Sequence, residues 1–146
     1  MGSAPVADWI GADYNSDIVN MRDWSDAYFV AIHGAGGTGT TTFTMESCDD
    51  VSATTATAIE FEYKRITGSA DTDSGWTAAT TTGFTTTANA NDIYIMHARA
   101  EDLYSTNQFI RLDGADVDST AVLGGCLIIL DGGRYGSGSA YRTVLS

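Results

Sequence analysis

Gly34-Ala35-Gly36-Gly37-Thr38-Gly39 is the first spacing in this chain that could do chemistry. Glycines at such intervals let backbone N–H groups close around a phosphate, provided a helix follows and, in a phosphate loop, Gly-Lys-Ser/Thr ends the motif. Here Thr40, Thr41, Thr42 and Phe43 follow in a strand-like pattern, so the expectation is a turn between two strands. Asp71-Thr72-Asp73-Ser74-Gly75 opens like a calcium loop. Counted from Asp71, however, Gly75 takes the fifth ligand position, and Thr82 stands where the loop needs its bidentate Glu. A surface turn is expected there, and a solvated turn at the second carboxylate cluster, Glu46 with Asp49 and Asp50. His33 and His97 could each serve as a base, which requires a nucleophile and an orienting acid beside it. No Ser sits in a nucleophile elbow, and His-Glu-x-x-His is absent. Cys48 and Cys126 have no ligand-like spacing and read as unbridged thiols on strands. No catalytic, cofactor-binding or metal-ligating residue is assigned, no cofactor is expected, and the chain reads as a protein without enzymatic activity.

The elements that would carry these side chains are strands. Phe43, Met45 and Ser47 share one face of a first alternating run, and Ile59, Phe61 and Tyr63 share one face of a second. Successive strand side chains point to opposite faces, so the two runs read as half-buried antiparallel strands joined by the acidic, Thr-rich link 49–58. Further runs fall at Ile18–Met21, Ala27–His33, around Phe84, at Asp92–Ala98, Gln108–Asp113 and Ala121–Leu130. Ala27–His33 and Thr40–Cys48 are expected to pair as a hairpin across the glycine link. Ala121–Leu130 reads as a central strand buried on both faces. Thr suits strands and Gly their turns. With turn signals every eight to twelve residues, the chain is expected to be all-β, an antiparallel β-sandwich or jelly roll of about eight strands. Alternation predicts a core of Tyr28, Val30, Ile32, Phe61, Ile93, Ile95, Ile110, Leu112, Leu127 and Ile129.

A chain of 146 residues forms one domain by default, with an N-terminal arm over 1–16 and a Gly/Ser-rich tail over 131–146. Nineteen acidic against seven basic residues give a formal charge of −12, which repels nucleic acid and anionic membranes. No apolar run approaches the ~20 residues of a membrane span, and the first residues lack the pattern of a secretory signal. Trp9, Tyr14, Trp24, Trp76, Tyr135 and Tyr141 lie outside the strand periodicity, and Arg134 and Arg142 bring positive charge to an acidic tail. Aromatics and arginines so placed are expected to contact a partner, with the C-terminal tail ordering against a neighbour.

Several stretches resemble a family of small virion structural proteins of tailed bacteriophages. They are Phe43–Val51, Thr54–Arg65, Trp76–Ile95, Phe109-Ile110-Arg111-Leu112, the closing run Ala121–Leu130 and the exit Gly132-Gly133-Arg134-Tyr135, which has Gly133 where the family pattern carries Pro. The resemblance spans about residues 18–136. It implies a capsid decoration (cement) protein on the outer surface of the virion shell, made in the host cytoplasm. Its partners would be the major capsid protein and copies of itself as a homotrimer, with neither nucleic acid nor membrane. The alternatives are a tail or head–tail connector protein, or a module binding host glycans.

Overall fold

The computed structural model describes residues 8–10, 13–34, 39–88, 91–104, 106–117 and 120–134, and the backbone of 3–6. The strands are β1 (Ser3–Val6), β2 (Tyr14–Asn15), β3 (Val19–Asn20), β4 (Trp24–His33), β5 (Thr41–Cys48), β6 (Ala56–Ile59), β7 (Phe61–Thr67), β8 (Thr72–Asp73), β9 (Thr77–Ala79), β10 (Phe84–Thr85), β11 (Asp92–Arg99), β12 (Phe109–Asp116) and β13 (Gly124–Gly133). One turn of 3₁₀ helix, Ala100–Asp102, follows β11. A seven-stranded antiparallel sheet runs β1-β13-β4-β11-β7-β8, with β9 also on β7. A six-stranded antiparallel sheet runs β10-β5-β12-β2, with β3 on β12 and β6 on β5. The protein is an all-β sandwich.

The link 49–58 does join antiparallel partners, with Met45 opposite Ile59 and Cys48 opposite Ala56. Asp49 and Asp50 shape it: Asp50 accepts from the Ser52 and Thr54 N–H groups and the Thr54 hydroxyl, and Asp49 accepts from the Thr55 N–H. The second run then divides at Glu60. Ile59 ends β6 in one sheet and Phe61 begins β7 in the other, and both are buried between the layers. The hairpin expected between Ala27–His33 and Thr40–Cys48 does not form, because β4 and β5 belong to different sheets. Residues 35–38 of the glycine link lie outside the described residues.

Between the sheets, Phe29, Ala27, Ala31, Met96, Tyr94, Ala98 and Cys126 of the larger sheet face Phe43, Met45, Ile110 and Leu112 of the smaller. Phe84 stacks on Tyr63 at 3.8 Å and lies within about 6 Å of Phe43, Phe61 and Tyr94. Gly83, at φ +72°, closes the turn that places Phe84, its N–H donating to the Thr80 carbonyl at 2.9 Å. A Cβ on Gly83 would run into the Phe43 carbonyl oxygen, so this position requires glycine. Buried threonine is satisfied within the layers: the Thr41 hydroxyl donates to the Ala115 carbonyl at 2.8 Å, and its N–H donates to the Thr86 hydroxyl at 3.0 Å.

Phe61, Ile110 and Leu112 are core residues as expected, but the predicted core is inverted across the rest of the larger sheet. Tyr28, Val30, Ile93 and Ile95 are half-buried on its outer side, and Ile32, Leu127 and Ile129 are exposed there. β13 is therefore not buried on both faces. These strands carry apolar residues at both parities, so alternation alone could not choose the inner one. The two-layer separation chose it, by matching small Ala27 and Ala31 and long Met96 to the aromatics opposite.

Residues 1–16 are not a free arm over their described part. β1 pairs with the edge of β13, the Trp9 N–H donates to the Val122 carbonyl at 3.1 Å, and β2 pairs with β12. Trp9, Ile10 and Tyr14 are buried, with Trp9 set edge-on to Tyr14 at 5.0 Å. The described start of the tail, 131–133, continues β13, and the Arg134 N–H donates to the Asp23 carbonyl at 2.8 Å.

Cys48 and Cys126 are buried thiols in different sheets. Burial pushes Cys48 up to about 11 and Cys126 up to about 12, the latter against a hydrogen bond from Tyr14. Thiolate is the reactive form. A disulfide reagent at pH 8 should therefore leave both thiols of the native protein almost unmodified and titrate two once the unreduced chain is unfolded. Rapid native reaction of either cysteine would contradict this packing.

His33 ends β4 with 2% of its surface exposed. Across the sheet it is in register with Asp92 on β11 and Gly124 on β13. It hydrogen-bonds the Gly39 backbone, and its Nδ1 has no partner among the described residues. Desolvation pulls its pKa below the ordinary 6.5, while Asp92 and the Gly39 bond push the other way. Asp92 is itself engaged by Arg65. The unfolded chain therefore takes up the His33 proton at a higher pH than the native one, so this contribution is full above about pH 6.5 and is lost as pH falls below it. Asp113, whose carboxyl burial raises above its ordinary value, acts with the opposite sign. The urea midpoint should drop between pH 7.5 and 5.5, and His33→Gln should flatten that slope. An unchanged slope in the variant would remove His33 as its source.

Candidate functional site: the outer face of the larger sheet

The inverted parity leaves an apolar field on the outside of β13, β4 and β11. Cross-strand register arranges it in rows. Gly125, Ile32, Ile93 and Ile66 form one, Leu127, Val30, Ile95 and Lys64 the next, and Ile129, Tyr28, His97 and Glu62 a third. Asp131, Asp26 and Arg99 close the field with charge. Among the described residues, eight large hydrophobics are exposed: Ile32, Leu123, Leu127 and Ile129, each about half-exposed, with Val51, Trp76, Tyr104 and Val117. The first four belong to this face, Leu123 preceding β13 at the outer parity. Four branched side chains at half exposure leave on the order of 400 Å² of apolar surface, the size of the largest patch on a typical monomer and often functional.

Trp76 borders the field. Its ring lies 5.4 Å from Lys64 Nζ and 5.9 Å from the His97 ring, so it leans over the outer side of β7 from the loop before β9. Lys64 is held there by Asp73 at 2.7 Å, and Asp73 also accepts from the Gly75 N–H. The lysine draws the Asp73 carboxyl below its ordinary value. The Asp71-x-Asp73 segment thus works as a turn that anchors Lys64 beneath Trp76. Glu46 is likewise engaged, by Arg111 Nε at 2.6 Å across the smaller sheet. Among the described residues, no three His, Cys, Asp or Glu side chains gather as a metal-holding group.

His97 has the geometry nearest to catalytic. Its Nε2 is 2.8 Å from Asp26 Oδ1, its Nδ1 is 3.8 Å from Glu62 Oε2, and Tyr28 stacks on its ring at 4.6 Å. Asp26 holds one ring nitrogen, and the exposed Glu62 carboxylate faces the other at a separation too long for a hydrogen bond. The arrangement fixes Tyr28 and Trp76 in place and gives the apolar field a firm polar border. An open cleft beside it is walled by charged and apolar side chains together, among them Glu62, Phe61, Ala79, His97 and Arg99.

The anticipated partner-binding residues are scattered by the fold. Trp76 alone stands at the apolar field, 47% exposed. Trp9 and Tyr14 are corrected to core residues, since the chain's own sandwich covers them. Trp24 is half-buried at the start of β4, and Arg134 is exposed beside Ser25, Asp26, Arg99 and Glu101. Tyr135, Tyr141 and Arg142 lie outside the described residues. Missed by the sequence reading were Ile32, Leu123, Leu127 and Ile129 as surface residues. Their signal was present: three strand runs were apolar at both parities, more than a two-layer sandwich can cover.

The fold and the face together define a β-sandwich with an exposed apolar field on one layer. No family model matches the chain, and neither a curated protein nor a solved structure similar to it was found. Among the described residues no helix is long and apolar enough to cross a membrane.

Proposed function

We propose that this protein is a non-enzymatic structural component of a tailed-phage virion, a decoration protein that binds the outer surface of the assembled capsid shell and stabilises it. The observation that carries the reading is the outer apolar face, an assembly surface toward the shell or toward neighbouring copies on it, on a chain that otherwise presents a dispersing charge of −12. An apolar field of that size on a soluble sandwich is best explained by something that covers it. The resemblance of residues 18–136 to small virion proteins supplies the setting: the major capsid protein as partner, and copies grouped at three-fold positions of the shell. Binding across capsomer boundaries stabilises a lattice by mass action, because only the assembled shell presents the whole site. Repetition over the shell adds avidity. The acidic charge supports a surface facing protein, with neither DNA nor an anionic membrane as ligand.

Purified protein should co-sediment with emptied tailed-phage shells stripped of their own decoration and raise their tolerance to heat and dilution. Quantitative mass spectrometry of virions should count hundreds of copies. A count of about six or twelve would assign it to the connector or tail instead. Failure to bind shells, or tight DNA binding at about 150 mM salt, would overturn the reading.

A further inference from the structure

We propose that the outer face of the larger sheet is a two-fold self-association surface, occupied by the same face of a second copy of this chain. The inference rests on the reading of this face as an assembly surface and goes further by naming its occupant. Stacked sheets pack about 10 Å apart with their strands within about 30° of one another. A two-fold axis along the strands, between β4 and β11, lays β4 of one copy over β11 of the other and β13 over β7.

The register then becomes self-complementary row by row. Ile32 faces Ile93 of the second copy, and Val30 faces Ile95. One row beyond the apolar field, Asp26 faces Arg99 of the second copy and Arg99 faces its Asp26, which sets opposite charges against one another at the middle of the border. On the flanks, β13 lies over β7 of the second copy, so Leu127 meets Lys64 with the Trp76 ring beside it, and Ile129 meets Glu62. This brings exposed Trp76, Leu127 and Ile129 into one contact. An aromatic anchor seated on aliphatic side chains and surrounded by charge is the usual anatomy of an interface hot spot.

The area fits a modest dimer. The apolar field with Tyr28, Trp76 and the charged rim approaches the ~800 Å² per partner of a standard interface, a size class whose weakest members bind at micromolar affinity. The pairing is two-fold, so it is distinct from three-fold grouping and would join copies belonging to neighbouring groups on a shell.

Sedimentation velocity of the full chain over about 1–200 µM tests this, because a micromolar equilibrium crosses its midpoint in that range. A monomer–dimer equilibrium is expected. Ile32→Glu, at an exposed position, should weaken it at least ~100-fold by placing a charge against Ile93 of the second copy, with an unchanged far-UV spectrum and urea midpoint. Trp76→Ala and Leu127→Ala should each weaken it about tenfold, and the double variant should fall well short of their product, because they share one contact. Arg99→Asp should weaken association by setting like charges against one another across the contact. A monomer throughout, a trimer, or a dimer indifferent to Ile32→Glu would overturn the proposal. Self-association that persists without shell uptake would support this surface while removing the shell from the proposed function.

Discussion

Truncating Phe29 to Ala should cost about 3–5 kcal/mol, whereas truncating its neighbour Val30 to Ala should cost less than about 1 kcal/mol. Phe29 has no exposed surface and lies in the core between the sheets, so its removal leaves a cavity beside Met96, its partner on β11. Val30 points the other way, onto the half-covered outer face. The same contrast should hold on β11, where Met96 is fully buried and Ile95 is only half-buried. Truncation of Ile95 should therefore be mild, against the several kcal/mol expected of a core position. Urea denaturation of the four alanine variants at a concentration where the protein is monomeric gives the comparison. Equal losses at Phe29 and Val30 would mean that the two faces are assigned the wrong way round.

Arg65→Met should cost about 3 kcal/mol, more than any other single charge removal in the described chain. Asp92 is 3% exposed and carries a carboxylate into the end of the sandwich. Arg65 Nε binds Asp92 Oδ2, the Gly68 N–H donates to Oδ1 at 3.3 Å, and the Tyr94 hydroxyl donates to Oδ2 at 3.4 Å. Removing the guanidinium leaves a buried charge held by two long hydrogen bonds. The arginine side chain is 31% exposed, so water can reach part of the gap, which keeps the loss near the lower end of the range for broken buried pairs. Adding Asp92→Asn should recover part of it, because the amide needs no counter-charge. Chemical denaturation of the single and double variants measures the recovery. If Arg65→Met falls within 0.5 kcal/mol of the parent, as expected of surface pairs, Asp92 is solvated and the ion pair contributes little.

Lys64 and Asp73 make a useful contrast. Their separation of 2.7 Å is short, yet Asp73 is exposed, and its pair serves mainly to seat Trp76. Separation alone does not set the worth of a pair; the cost of leaving its partner dry does.

Strand type and position were legible along the chain because they follow from local periodicity. Phe43, Met45 and Ser47 alternate inward as read, Ile110 and Leu112 do the same, and the all-β class follows from such runs and the turn residues between them. The acidic link 49–58 was legible as a turn because Asp49 and Asp50 bond to backbone groups within six residues of themselves. Sheet membership was not legible. Whether β4 pairs with β5 or with β11 and β13 depends on contacts between residues 59 to 109 positions apart, and the glycine link permits either. Nor was the inner face of the larger sheet, where Ala27, Phe29 and Ala31 compete with Tyr28, Val30 and Ile32. A period of two says that two faces differ; it does not say which one a second layer will cover. Trp9 and Tyr14 looked like anchors for a partner because nothing in a Gly- and Asp-rich stretch predicts that β13 and β12 will fold it over the core. The sequence by itself determined the strands, their turns, the charge and an excess of apolar residues. Only the tertiary structure decided that the excess lies outside, at Ile32, Leu127 and Ile129, because two layers bury one face of each sheet and no more.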